Sequence, residues 1–196
     1  MTAVVVEQTT ALARRSLLGT VRQPTLWFPA LIFPLLIAAI NSAAMERAIY
    51  LPGFPPVDSF LQFLLPATLV QGVMFGGIIG ASDVALDIEN GFFDRLLASP
   101  VARPAILVGR LSGAAVLGGV QAVVFIVIFV IFGAPIAGGA VAVAVLVVLG
   151  MVLALTIGAL ASAIALRTGS QEAVQNSFPL IFILLFASSA FFPTEL

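Results

Sequence analysis

The side chains that could do chemistry are concentrated in one segment, residues 83–103, which lies between long apolar stretches. This segment holds four of the nine acidic residues of the chain and two of its eight arginines. The chain has no histidine, cysteine or lysine, so it lacks the commonest general base, a thiol nucleophile and the lysine of a phosphate-binding loop. The chemistry that remains is ion pairing and docking, and we predict no catalytic residue, no metal site and no cofactor.

The composition predicts an integral membrane protein. Of the 196 residues, 61% are hydrophobic and only 9% are charged, whereas about a quarter of the residues in a soluble domain are charged. So few charges cannot cover the surface of a globule of this size in water. The net charge of −1 also argues against binding to nucleic acid, which requires a basic surface.

The apolar stretches predict an all-α, polytopic helical bundle that forms a single transmembrane domain over residues 1–196. A helix needs about 20 apolar residues to cross a bilayer core. The predicted spans are residues 24–45, 59–81, 104–132, 140–166 and 176–192. The sequence stops soon after the fifth span, and we expect a sixth to be missing at the C-terminus. Residues 1–23 form either a short interfacial helix or a disordered tail with a cluster of arginines.

The arginines predict how these spans are oriented. If the N-terminus is cytosolic, seven arginines lie on the inner side and only Arg47 lies outside. Membrane proteins accumulate positive charge on the cytoplasmic side. We therefore expect a multi-pass protein of the cell membrane with its N-terminus inside and with a cytosolic segment over residues 82–103.

Three glycines in the second predicted span, Gly72, Gly76 and Gly80, recur every four residues. Small residues at this spacing let helices pack closely in lipid. The facing helix belongs either to the same chain or to a second copy, and we favour the same chain. Polar residues within the spans, such as Gln71 and Gln121, are interpreted as packing contacts between helices more readily than as substrate contacts.

The span centres contain no aspartate, glutamate, arginine or histidine. Ion-coupled carriers need ionisable or oxygen-bearing ligands near the middle of the bilayer, because these form the proton or cation relay. A secondary carrier is therefore disfavoured. Energy for any transport must enter from outside the bilayer.

The segment 83–103 is amphipathic when it is drawn as one helix. One half of the wheel carries Ile88, Phe92, Phe93, Leu96 and Leu97, and the other carries Asp87, Asn90, Gly91, Asp94, Arg95 and Ala98. Glu89 is the one charge in the apolar half. Such a helix is too polar to span and too apolar on one side to be fully solvated. It is expected either to dock into a groove of another protein or to lie passively on the membrane surface.

This segment resembles the signature of type-2 ABC exporter permeases. The signature is an acidic pair, Gly-Thr, a hydrophobic residue, an acid, Arg, Leu-Leu, a Ser-Pro-x-x-Arg turn and a Gly-Lys that enters the next span. Residues 87–103 and 106–110 follow it, with Phe92 in place of Thr, Asp94 in place of Glu and Arg110 in place of Lys. Residues 191–196 are similar to the stretch that precedes the sixth span of the family.

The resemblance implies a permease without its own motor. Such permeases pair as homodimers or with a paralogous permease, each bound to a separate cytosolic ABC ATPase subunit that binds the ATP. They export drugs, lipids or lipid-linked glycans, and the match is closest to the drug exporters. Residues 1–23 would then contain the elbow helix, and residues 87–99 would form the coupling helix. The residues implied in coupling to the ATPase are Asp87, Glu89, Gly91, Phe92, Phe93, Asp94, Arg95, Leu96, Leu97, Ser99 and Pro100.

Two functional expectations remain open on the sequence alone. In the first, Glu89 meets a basic or N–H-rich pocket on the ATPase, and the chain is an exporter subunit. In the second, the chain is a non-transporting membrane scaffold that recruits a soluble partner through the same helix. The two differ in whether a substrate crosses the membrane.

Overall fold

The computed structural model describes residues 2–22, 24–136, 138–177, 179 and 183. Within these residues the chain is built from α-helices and contains no strand. The helices are α1 (Thr2–Val21), α2 (Pro24–Met45), α3 (Phe60–Glu89), α4 (Phe92–Leu97), α5 (Arg103–Ile131), α6 (Gly139–Thr168) and α7 (Gln171–Asn176), with a 3-10 turn at Glu46–Tyr50. The predicted all-α architecture is confirmed.

Within the described part of the chain, four helical stretches are long and apolar enough to cross a membrane. They are Trp27–Tyr50, Phe60–Glu89, Ala105–Ile131 and Gly139–Thr168. The chain is thus a polytopic helical membrane protein, as its composition predicted. The predicted fifth span, residues 176–192, lies almost wholly outside the described residues.

The second membrane helix is longer than the sequence suggested. Helix α3 continues beyond residue 81 to Glu89. The start of residues 83–103, which we call the charged segment, is therefore an extension of the span. The extension is stable because Val84 and Ala85 are buried against α6 and α7. The single amphipathic helix expected over residues 87–99 therefore does not form, since α3 ends and α4 begins within it.

Helix α3 is the centre of the bundle and packs against α2, α5, α6 and α7. At the middle of the bundle, Leu69 and Val73 of α3 are buried with Ala122 and Ile126 of α5 and with Ala154 of α6. Small residues allow α5 and α6 to approach each other closely, and one such contact is that of Gly118 with Ala154. The bundle is therefore held together mainly by close van der Waals packing.

The three spaced glycines of α3 all face α5 of the same chain. A Cβ atom added at Gly72 would overlap the ring of Phe125, and one added at Gly76 would overlap the carboxamide of Gln121. At Gly80 the nearest atom to an added Cβ would be the Cβ of Ala114, at 3.9 Å. The closest approach of α3 to α5 is therefore at Gly72 and Gly76.

The N-terminal segment is a helix that packs along α5 and not a disordered tail. Two glycines of α5 make this contact possible, because a Cβ at Gly109 would lie 2.8 Å from the Cβ of Leu12 and one at Gly113 would lie 2.9 Å from the Oγ of Ser16. Helix α1 is not among the four candidate spans. It lies against the end of the bundle at which the charged segment is found.

Candidate functional site

The charged segment is divided by a sharp turn at Asn90 and Gly91. Helix α3 ends there, with the N–H of Asn90 donating to the carbonyl of Leu86 at 3.0 Å. Gly91 has a φ of 65°, a left-handed conformation that favours glycine. Helix α4 begins at the next residue and ends in a turn where Ser99 Oγ donates to the carbonyl of Leu96 at 2.6 Å. The segment is therefore the end of a span followed by a short separate helix.

Asp87, in the last turns of α3, joins three helices through its carboxylate. Arg15 of α1 donates to it through both terminal nitrogens, at 3.1 and 3.3 Å, which is the two-pronged geometry that favours arginine–carboxylate pairs. Arg110 of α5 donates to the same carboxylate through Nη2. The side chains of Asp87 and Arg110 are 15% and 11% exposed, whereas that of Arg15 is 50% exposed. We call these three residues the Asp87 cluster.

The Asp87 cluster is connected directly to α4 and to the turn after it. The guanidinium of Arg15 stacks over the ring of Phe92, with 4.0 Å between its carbon and the ring centroid, in a cation–π contact. Farther along α1, the side chain of Gln8 donates to the carbonyl of Pro100 at 3.4 Å and accepts from the N–H of Ala102 at 3.2 Å. Helix α1 thus holds the charged segment at its beginning, its middle and its end.

A second acidic residue, Asp83, lies one helical turn before Asp87 and lines a small polar cavity of about 200 Å³ beside the cluster. Leu12 and Ser16 of α1 form the other side of this cavity. Asp83 interacts electrostatically with both arginines of the cluster. Two acidic and two basic side chains therefore line this one cavity between the helices.

Glu89 points toward a different element of the same chain. Its Oε1 accepts the backbone N–H of Gln171 at 2.8 Å, at the first residue of α7. Ser170 caps the same helix, with its Oγ accepting the N–H of Ala173 at 3.4 Å. A carboxylate at a helix N-terminus is stabilised by the unpaired N–H groups there. The sequence analysis placed the partner of Glu89 on the ATPase, whereas the structure shows its carboxylate bound to a backbone N–H of this chain.

The predicted coupling residues differ in how accessible they are. Asp87 and Glu89 are engaged by other parts of the chain. Half-buried positions are Gly91, Phe92, Phe93, Leu96 and Ser99, and exposed positions are Asp94, Arg95, Leu97 and Pro100. The exposed part of α4 is therefore the surface that a partner could reach.

Sequence reasoning missed the residues that hold the segment in place, namely Gln8, Arg15, Asp83, Arg110 and Gln171. One signal could have found some of them. Asp83 and Asp87 are four residues apart and so share a helix face, and two carboxylates at the end of a span need cationic partners. Arg110 was a candidate because it lies inside the next span.

Comparison with known proteins identifies the family of the chain. The sequence matches the ABC-2 type transporter family over residues 7–196. It is also similar to the daunorubicin resistance ABC transporter permease protein DrrB1 of Streptomyces coeruleorubidus, with 26% identity over 139 residues. That match covers 70% of this chain and 49% of the relative, so it spans about half of the relative's length. No solved structure gives a significant match. Since the family match covers nearly the whole sequence, the chain belongs to the ABC-2 type transporter family.

Proposed function

We propose that the chain is the membrane-spanning subunit of an ATP-driven exporter. In this proposal two permease chains, either identical or paralogous, pair in the cell membrane with their N-termini inside. Each binds a separate cytosolic ATPase subunit, and the complex moves a hydrophobic or amphiphilic compound outward. The proposal agrees with the ABC-2 type family of the chain.

The observation that carries this proposal is the Asp87 cluster. A partner that pushes on α4 also moves Phe92, and Phe92 is stacked on Arg15 of α1. Arg15 and Arg110 share the carboxylate of Asp87, so the displacement is passed to α1, α3 and α5 together. A passive interfacial helix would not require such buried ionic contacts, which are costly to place between membrane helices.

The exposed tip of α4 is the proposed contact with the ATPase. Asp94, Arg95 and Leu97 are exposed, and they provide one negative, one positive and one apolar group on a surface one helical turn long. Arg95 is partly preorganised, since its Nε donates to the carbonyl of Gly91 at 3.2 Å. Mixed charged and apolar groups of this kind suit the docking of a short helix into a groove.

An apolar or amphiphilic compound is the substrate class that best fits this bundle. The four candidate spans have mean hydropathies between 1.7 and 2.9, and the ionised groups of the described bundle are concentrated in the Asp87 cluster and near the helix ends. Such an interior disfavours strongly charged solutes. The name of the Streptomyces coeruleorubidus relative associates that protein with resistance to daunorubicin, which supports the drug-export branch for this chain.

The proposal is tested by reconstituting the chain with its cognate ATPase subunit in proteoliposomes and measuring ATP hydrolysis and ATP-dependent movement of a lipophilic drug. Replacing Arg95 with Ala is expected to weaken ATPase binding about tenfold, as loss of a central interface arginine commonly costs more than 1 kcal/mol. Arg22→Ala is the matched control, because Arg22 is also exposed and its loss changes the net charge equally.

The outcomes separate the two functional classes. ATP-dependent drug movement that is lost with Arg95→Ala and retained with Arg22→Ala supports the exporter. Stable binding of the ATPase without movement of any lipophilic compound would instead favour the scaffold. Equal effects of the two substitutions would remove α4 as the contact surface.

A further inference from the structure

A second cavity, larger and apolar, lies between α2, α3 and α5. Its volume is about 340 Å³, within the range of small-molecule sites. The residues that form most of its wall are Trp27, Leu31, Gly76, Ile79, Gln121 and Val124. We call it the Trp27 cleft. Among the described residues, no charged side chain lines it, and none of the contacts described for the Asp87 cluster involves its wall.

One polar group in this wall has no partner. The carboxamide of Gln121 belongs to a side chain that is 7% exposed, and its Oε1 is buried without a hydrogen-bond partner in the described part of the chain. Buried side-chain amides are nearly always hydrogen-bonded, and an exception calls for an explanation. Packing between α3 and α5 does not provide one, because the residue facing the amide is Gly76, which has no side chain to donate.

One wall of the cleft contains an aromatic side chain that is tied to α1. The indole N–H of Trp27 donates to the carbonyl of Val21 at 3.4 Å, which ties the start of α2 to the last residue of α1. The ring of Trp27 then lines the cleft. An aromatic wall with a single hydrogen-bonding group at depth is the usual composition of a site for a ring-containing small molecule.

From these observations we infer that the Trp27 cleft binds the transported compound, an uncharged, ring-containing amphiphile that forms a hydrogen bond with the Gln121 carboxamide. The inference rests on the proposed exporter function. The cleft lies close to the Asp87 cluster. Val21 at the cleft and Arg15 in the cluster are six residues apart on α1, about 9 Å along the helix.

The chain offers a direct assay, because Trp27 is its only tryptophan. The full chain is reconstituted in phosphatidylcholine liposomes and titrated with N-phenyl-1-naphthylamine, an uncharged aromatic amine with one N–H donor. Energy transfer from Trp27 to the bound probe is expected to saturate, above the linear increase caused by probe dissolved in lipid. Trp27→Phe, which removes the donor, measures the emission of probe that is excited directly.

Two pairs of measurements identify the site. Val124→Phe, which fills the cleft, should weaken probe binding at least tenfold, whereas Val123→Phe should change it less than twofold because Val123 is adjacent in α5 and absent from the cleft wall. Gln121→Met keeps the length of the side chain and removes its hydrogen bond, so binding should weaken about two- to tenfold.

Several results would overturn the inference. These are a transfer signal that does not saturate, equal losses with Val123→Phe and Val124→Phe, or unchanged binding with Gln121→Met. Trp27 fluorescence can also be measured in lipids brominated on their acyl chains. If these lipids quenched Trp27 and the probe did not relieve the quenching, the cleft would be occupied by lipid. Export that survives Val124→Phe would refute the site and leave the exporter function intact. Site-dependent probe binding without ATP-dependent export would refute the function and leave the site.

Discussion

Replacing Asp87 with Asn should destabilise the chain far more than the loss of an exposed carboxylate does. Removing one partner of a buried ion pair costs about 3–5 kcal/mol, because the other charge stays buried without compensation. Here Arg110 is 11% exposed and would be left in that state. Asp83 remains nearby and offsets part of the loss, while the half-exposed Arg15 adds little. We therefore expect a loss of about 3 kcal/mol.

Thermal unfolding of the purified chain in lipid, followed by Trp27 fluorescence, measures this effect. For a chain of about 200 residues, 1 kcal/mol corresponds to roughly 2–4 °C, so Asp87→Asn should lower the unfolding temperature by about 6–12 °C. Glu7→Gln is the control, because Glu7 is an exposed acid on α1, and it should lower it by less than about 2 °C. A similar small change for both substitutions would show that Asp87 does not hold the helices together.

A double-mutant cycle tests whether the loss arises from the ion pair itself. If Asp87 and Arg110 interact as the structure shows, combining Asp87→Asn with Arg110→Gln should cost at least about 1 kcal/mol less than the sum of the single changes. The double variant contains neither the buried carboxylate nor the guanidinium left without it. Additive effects, within about 0.5 kcal/mol, would refute the direct interaction.

Three further substitutions test contacts that depend on α3. Glu89→Ala removes the carboxylate from the N-terminus of α7 and should lower the free energy of unfolding by about 0.5–1 kcal/mol. Hydrogen exchange at the Gln171 amide should become severalfold faster. Unchanged exchange would contradict the contact at 2.8 Å. Gly72→Ala should destabilise by about 1–3 kcal/mol because its Cβ overlaps the Phe125 ring. Gly80→Ala, whose Cβ would lie in ordinary contact at 3.9 Å from that of Ala114, should be neutral or slightly stabilising. Equal unfolding temperatures for the two glycine variants would show that α3 and α5 do not approach as described.

The membrane helices could be predicted from the sequence because a span leaves a local record, a run of about 20 apolar residues. The starts of α2, α5 and α6 lie within one residue of the predicted positions. The organisation of the charged segment left no such record. A helical wheel over residues 87–99 assumes an unbroken helix, but Gly91 interrupts it with a positive φ. The wheel therefore assigned Phe92 and Glu89 to one face that does not exist.

The partners of the charged segment were beyond local reasoning for a related cause. Arg15 is 72 positions from Asp87, Arg110 is 23 positions away, and Gln171 is 82 positions from Glu89. Hydrophobic periodicity identifies which residues face inward but not which distant residue they meet. The charges in these contacts looked like parts of a docking surface because their countercharges lay on other helices.

In the proposed exporter, the placement of these contacts would let the end of α3 transmit force. A docking helix that was connected to the bundle by its flanking chain alone could tilt without moving the spans. Here α4 is tied to α1 through Phe92, and α1 is tied to α3 and α5 through the Asp87 carboxylate. Glu89 extends the same connection to α7. Because interior ion pairs keep short contacts or break altogether, a displacement of α4 must either move α1, α3, α5 and α7 with it or break the Asp87 cluster.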